Sequence, residues 1–68
     1  MKWILRKYMG EAHIDSFTEL SEITGITRRT LYDRISNPRT IRAYEINALD
    51  NVLHFSDEDL VRLATGNL

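Results

Sequence analysis

Helix-breaking residues divide this chain of 68 residues at four points: Gly10, Gly25, the Asn37–Pro38 pair and Gly66. The segments between these breaks have the lengths of ordinary helices, and none alternates apolar and polar residues as a half-buried strand does. Because the residue before a proline avoids helical backbone angles, we expect a helix to end near Asn37. The pattern predicts an all-α fold, in which residues 1–68 form one compact domain of five short helices.

Capping residues predict where three of the helices begin. Ser16, followed three positions later by Glu19, has the pattern of a capping box. Thr27 is the expected N-cap of the next helix, and Ser56 is the expected N-cap of the last one. The acidic run 57–59 then fills the first turn of that last helix, where the helix dipole favours negative charge.

Apolar residues at spacings of three and four predict which helix faces turn inward. We expect the first helix over residues 2–12 and the fourth from about Thr40 to Leu53, with two shorter helices between them and one after. The side chains expected in the core are Ile4, Leu5, Tyr8, Met9, Ala12, Phe17, Leu20, Ile23, Ile41, Ala48, Leu49, Val52, Leu60, Val61 and Leu63.

The composition limits the class of protein. The chain has 43% hydrophobic and 28% charged residues, which is typical of a globular protein. It contains no cysteine, and His13 and His54 are isolated, so we expect no disulfide, metal site or cofactor. The longest apolar run, residues 3–5, is too short for a membrane span or a signal peptide. We therefore expect a soluble cytoplasmic protein without a membrane partner.

Charge is unevenly distributed along the chain, although the net charge is only −1. Residues 28–42 contain five arginines and one acid, Asp33, whereas residues 43–68 contain five acids and one arginine, Arg62. Dedicated nucleic-acid-binding domains are usually basic overall, so the net charge counts against that function. A local basic face is nevertheless what contacts to phosphate require.

Residues 17–36 have the organisation of a helix-turn-helix motif, in which two short helices are joined by a tight turn. Gly25 provides the turn, since glycine readily adopts the left-handed backbone conformation that such an exit needs. Ser21 is small enough to let the two helices approach closely. The side chains expected to bury the contact between the helices are Leu20, Ile26, Leu31 and Ile35.

These residues resemble the Cro/phage-repressor family, the lambda-repressor-like helix-turn-helix proteins. The resemblance rests on Glu19-Leu20-Ser21, Thr24-Gly25-Ile26-Thr27 and Leu31, followed by the segment 53–60, and it extends over about residues 14–63. It implies a five-helix domain, often dimeric, whose third helix lies in the major groove of DNA.

The sequence departs from the family pattern at three positions. Phe17 stands where the family usually has a glutamine that contacts a phosphate, and Ser21 replaces the usual alanine. Arg34 occupies a position that is usually apolar, and we expect it to contact a phosphate.

The resemblance implies two sets of DNA contacts. The expected base contacts are Arg28, Arg29, Tyr32 and Asp33, because arginine suits the guanine edge and aspartate can accept a hydrogen bond from cytosine. For Asp33 we prefer another role, an ion pair with Arg29 four residues earlier on the same helix. The expected contacts to the DNA backbone are Thr27, Thr30, Arg34, Asn37, Arg39, Thr40 and Arg42.

The remaining charged and aromatic residues have simpler interpretations. No nucleophile, base and orienting residue form a catalytic pattern, so we expect no enzyme. Three cations near the N-terminus are expected to face solvent, and three aromatic residues are expected in the core or at its rim: Lys2, Arg6 and Lys7, and Trp3, Tyr8 and Tyr44.

The sequence favours a sequence-specific DNA-binding transcriptional regulator of Cro or repressor type, from a phage or other mobile element, whose helix beginning at Thr27 enters the major groove. The alternative is an antirepressor that binds another phage repressor and blocks its DNA binding; the overall acidity and Phe17 favour it. We expect a homodimer, because one helix contacts few base pairs. Its expected contacts are Val52, Leu53 and Phe55, since Leu53 and Phe55 do not easily both point inward around His54.

Overall fold

The computed structural model describes residues 1–66 and consists of five α-helices within that range. A single turn of 3-10 helix, Pro38–Thr40, connects the third and fourth helices. The predicted all-α fold of five helices is confirmed. The helices are α1 (Lys2–Glu11), α2 (Phe17–Thr24), α3 (Arg28–Ser36), α4 (Ala43–Leu53) and α5 (Asp57–Thr65).

The predicted N-caps are confirmed by their hydrogen bonds. The hydroxyl of Ser16 accepts from the backbone N–H of Glu19 at 3.2 Å, and Thr27 and Ser56 cap α3 and α5 in the same way. The Glu19 carboxylate accepts from the backbone N–H of Asp15 at 3.3 Å, one residue before the N-cap.

Helix α4 begins three residues later than predicted. Pro38, Arg39 and Thr40 form the 3-10 turn, and Arg42 is the N-cap that precedes α4. The backbone N–H of Arg42 donates to Glu45 Oε1 at 2.8 Å, which satisfies one of the free donors at this helix start.

The core is built from all five helices. Its fully buried side chains are Ile4, Leu5, Leu20, Leu31, Leu49 and Leu63. Ala12, Ile23 and Val61 were expected inside and are exposed, Ile23 by 51% and Val61 by 61%. Ala12 is exposed because it lies beyond the end of α1. Val61 is exposed because the inner face of α5 is formed by Asp59, Leu60 and Leu63. Successive helical residues point about 100° apart, so Val61 faces solvent.

A polar contact inside the molecule joins the first helix to the last. Tyr8 donates to Asp59 Oδ2 at 2.5 Å, and the backbone N–H of Ser56 donates to Tyr8 Oη at 3.1 Å. The hydrogen bond from Tyr8, with the nearby charge of Lys7 at 3.8 Å, holds the pKa of Asp59 below its ordinary value despite burial. From the sequence, only an interaction with the helix dipole is expected for Asp59.

The backbone at His54 places Leu53 and Phe55 differently from what was expected for the dimer contacts. His54 adopts a left-handed backbone conformation with φ of 54°, which ends α4 and reverses the chain direction. As a result Leu53 and Phe55 both point inward and are buried, while Val52 is half-buried. The rings of Phe55 and Tyr8 form a T-shaped pair with centroids 4.8 Å apart. The expectation that one of the two remains at the surface is wrong.

Candidate nucleic-acid interface

The turn between α2 and α3 is held by three hydrogen bonds. Gly25 has φ of +78°, and its backbone N–H donates to the carbonyl of Ser21 at 2.9 Å. The Thr24 hydroxyl donates to the carbonyl of Leu20 at 2.7 Å and accepts from the backbone N–H of Ile26 at 3.2 Å. Ile26 is buried directly after the turn. These contacts fix the direction in which α3 leaves α2.

Helix α3 has one face in the core and one face in solvent. Leu31 is buried, and Ile35 packs against the core at the end of the helix. The four residues predicted to contact bases are exposed together on the outer side: Arg28, Arg29, Tyr32 and Asp33. The structure therefore brings the predicted base contacts to one surface of a helix whose other side is anchored.

Two contacts from α2 support side chains on this outer surface. Arg28 Nη1 donates to the hydroxyl of Thr18 at 3.2 Å. The ring of Tyr32 lies against the ring of Phe17, with centroids 5.4 Å apart and an interplanar angle of 62°. Edge-to-face aromatic pairs of this kind are favourable and restrict the ring. Phe17, a departure from the family pattern, is itself buried and positions Tyr32.

Asp33 does not pair with Arg29. Ion pairs within residues 1–66 involve Lys7, Arg34 and Arg62, and none joins Asp33 to Arg29. The preferred role for Asp33 is therefore wrong in this structure. Its carboxylate is exposed beside the two arginines and is free to accept a hydrogen bond from a partner.

Arg34 is half-buried and is hydrogen-bonded to two other side chains of the protein, although it was predicted to contact a phosphate. Its Nε donates to Glu45 Oε1 at 2.9 Å and its Nη1 donates to the Thr40 hydroxyl at 3.2 Å. The side chain of Arg34 is 19% exposed and that of Glu45 only 3%. The hydrogen bond to Glu45 raises the pKa of Arg34. Burial alone would raise the pKa of Glu45, but Arg34 and the backbone N–H of Arg42 bring it below its ordinary value.

The sequence pattern did not predict the role of Glu45, which by sequence is only one of the acids of the C-terminal half. Its position three residues after Arg42 is the N3 position of α4, where a carboxylate can reach back to the N-cap. That spacing was visible in the sequence. The partnership with Arg34, eleven residues away, was not.

The remaining predicted backbone contacts lie at the two ends of α3. Thr27 and Thr30 are at its N-terminus, where free backbone N–H groups and the helix dipole favour an anion. The predicted backbone contacts that follow the C-terminus of α3 are all exposed: Asn37, Arg39, Thr40 and Arg42. Within residues 1–66, neither Arg39 nor Arg42 takes part in an ion pair. Along the described part of the chain, the exposed arginines of α3 are therefore followed by two further exposed arginines without ion pairs, Arg39 and Arg42.

Comparisons with known proteins agree with this geometry. A family model described as "Cro/C1-type HTH DNA-binding domain" matches residues 4–65, whereas neither curated proteins nor solved structures give a significant match. None of the helices within residues 1–66 has the length and apolar composition that a membrane span requires. The matched range contains the helix-turn-helix and nearly all of the surrounding core, and the resemblance seen in the sequence is confirmed. The chain belongs to the Cro/C1-type helix-turn-helix DNA-binding domain family, a family of DNA-binding regulators.

Proposed function

We propose that this protein is a sequence-specific transcriptional regulator of Cro or repressor type, which inserts α3 into the major groove. The observation that carries the proposal is the joint exposure of Arg28, Arg29, Tyr32 and Asp33 on the outer side of α3. A rigid turn and a buried inner face hold this helix, so its outer side chains meet DNA in a fixed arrangement.

The exposed residues divide into two kinds of contact. Arg28 and Arg29 reach base edges, since a guanidinium forms two parallel hydrogen bonds to guanine, and Asp33 accepts from cytosine. Thr27, Thr30, Asn37, Arg39, Thr40 and Arg42 hold phosphates and fix the position of α3 along the duplex. Arg34 belongs to neither set, because Glu45 already occupies its guanidinium.

The regulator acts as two copies on DNA. One recognition helix contacts too few base pairs to select a site in a genome, and paired half-sites about one helical turn apart solve this problem. Leu53 and Phe55 are buried in the core of each copy. Of the three predicted dimer contacts, Val52 is half-buried, and it is the one whose side chain is still partly accessible to a second copy.

The second candidate is an antirepressor that binds another repressor protein. The net charge of −1 and the acidic C-terminal half favour it, since negative charge repels phosphate. Exposed arginine and tyrosine are also frequent anchors of protein interfaces, so Arg28, Arg29 and Tyr32 serve either function.

Selection from a random duplex pool separates the two functions. The purified protein is incubated with the pool at two salt concentrations, and partners are captured in parallel from the native host lysate. A regulator enriches a short, two-fold-symmetric motif, and its affinity falls steeply with salt as counterions are released. An antirepressor enriches no motif, even at low salt, and captures one repressor in stoichiometric amount. That second result would overturn the proposal.

A further inference from the structure

Arg6 on α1 is connected to the outer surface of α3 through two ring contacts. Its Cζ lies 5.4 Å from the centroid of the Phe17 ring, and that ring lies 5.4 Å from the ring of Tyr32. Arg6, Phe17 and Tyr32 therefore form a continuous row across α1, α2 and α3. Arg6 and Tyr32, at the two ends of the row, are exposed, and Phe17 between them is buried.

The charge of Arg6 is not neutralised by a carboxylate. Lys7, the next residue, pairs with Asp59, but in the described part of the chain no ion pair includes Arg6. A cation–π contact orients a guanidinium without removing its charge. Its N–H groups remain able to donate to an anion, and a guanidinium matches the geometry of phosphate oxygens.

We infer that Arg6 is a further DNA-binding residue, which contacts a backbone phosphate at the edge of the groove that α3 enters; the inference rests on the proposed function. The major groove is about 12 Å wide, so a helix inside it is flanked closely by phosphates. Tyr32 projects from α3, and two successive contacts of 5.4 Å lead from its ring to the Arg6 guanidinium. With α3 in the groove, this separation brings the Arg6 guanidinium to the edge of the groove, where it can contact a backbone phosphate.

The Phe17 ring then has two functions at once. It packs against Tyr32 at an interplanar angle of 62° and lies under the Arg6 guanidinium, so an apolar residue at the start of α2 organises a polar contact supplied by α1. The basic surface, which by sequence covers residues 28–42, extends in the folded chain to a residue near the N-terminus.

The test measures binding of Arg6→Ala to a 20-base-pair duplex of random sequence from 50 to 200 mM salt, by fluorescence anisotropy. Loss of one phosphate contact lowers the slope of log affinity against log salt by about 0.9, so the affinity ratio between the two salt limits shrinks about threefold. Arg6→Lys keeps the charge and retains most of the slope. Arg62→Ala is the control, because Arg62 lies on α5, also covers an aromatic ring, that of Trp3, and its removal changes the net charge equally.

The outcomes separate this inference from the proposed function. A wild-type slope in Arg6→Ala overturns the inference and leaves DNA binding intact. Equal losses in Arg6→Ala and Arg62→Ala also overturn it, since they report net charge alone. Absence of salt-dependent binding by the wild-type protein at 50 mM salt removes both the function and the inference.

Discussion

Arg34 Nε donates to Glu45 Oε1 at 2.9 Å, and this contact fastens the last turn of α3 to the first turn of α4. The same carboxylate oxygen accepts from the backbone N–H of Arg42 at 2.8 Å. One buried carboxylate thereby fixes the orientation of the helix that carries the proposed base contacts.

This pair gives opposite expectations for Arg34→Ala and Arg39→Ala. Removing Arg34 leaves Glu45 buried without its cation, so we expect a clear fall in Tm and an unchanged salt slope of DNA binding. Removing exposed Arg39 leaves Tm unchanged and reduces the salt slope by about one. Thermal unfolding and salt titrations of both variants check this. A reduced slope in Arg34→Ala, without loss of stability, would restore the phosphate contact predicted from the sequence.

Base readout is tested by Arg28→Ala and Arg29→Ala. Each substitution should weaken binding to the selected site by about 1–3 kcal/mol and relax the preference at one base pair. Arg42→Ala is the comparison, because a phosphate contact weakens binding to all sequences alike. Competition assays with single-base variants of the site measure both effects. Uniform, sequence-independent losses from all three substitutions would remove direct readout from the proposal.

The turn glycine and the helix glycine provide a matched pair. Gly25 has φ of +78° with open space around its Cα, so Gly25→Ala costs about 1–2 kcal/mol from backbone strain alone. Gly10 lies in α1 with nothing within 4 Å of an added methyl group, and Gly10→Ala stabilises the helix by about 0.5–1 kcal/mol. Urea unfolding of the two variants should show shifts of opposite sign. Shifts of the same sign would contradict the backbone assignment of Gly25.

Acid should destabilise the protein through Asp59 and Glu45. In the folded state the pKa values of both carboxyl groups are below the ordinary range. The hydrogen bond from Tyr8 lowers the pKa of Asp59. Burial alone would raise the pKa of Glu45, but the hydrogen bond from Arg34 helps to bring it below its ordinary value. Their contribution is therefore complete above the unfolded pKa, near 4, and is lost as the pH falls through the lower folded values. We expect Tm to fall as the pH decreases below about 4.

Asp59→Asn should reduce this fall in Tm, because it removes one of the two carboxylates. Asp57→Asn, in the same turn but exposed, is the control and should keep the wild-type fall. Thermal unfolding from pH 7 to pH 2 measures both. An unchanged acid dependence in Asp59→Asn would exclude the Tyr8–Asp59 contact as its source.

Self-association is tested by analytical ultracentrifugation with and without a palindromic duplex. We expect two copies for each duplex. Phe55→Leu should lower stability without preventing this assembly, because Phe55 packs on Tyr8 inside one copy. Binding of one monomer for each palindrome would contradict the paired-site proposal. Loss of assembly in Phe55→Leu at full stability would return Phe55 to the dimer interface.

The sequence by itself determined the features that depend on neighbouring residues. The caps Ser16, Thr27 and Ser56 bond to backbone groups three residues away, and Gly25 sets the turn through its own backbone freedom. The 3.6-residue period of the apolar positions predicted the five helices and most of the core. Such short-range interactions are readable because chain connectivity already holds the partners together.

Tertiary structure alone decided which polar groups are partners and which apolar groups are exposed. Tyr8 and Asp59 are 51 residues apart, Arg34 and Glu45 are 11 apart, and the row from Arg6 to Tyr32 crosses three helices. The exposure of Ile23 follows from the same packing, because only one side of a short helix meets the core. The physical reason is that helix packing, not sequence spacing, sets the distance between side chains on different helices.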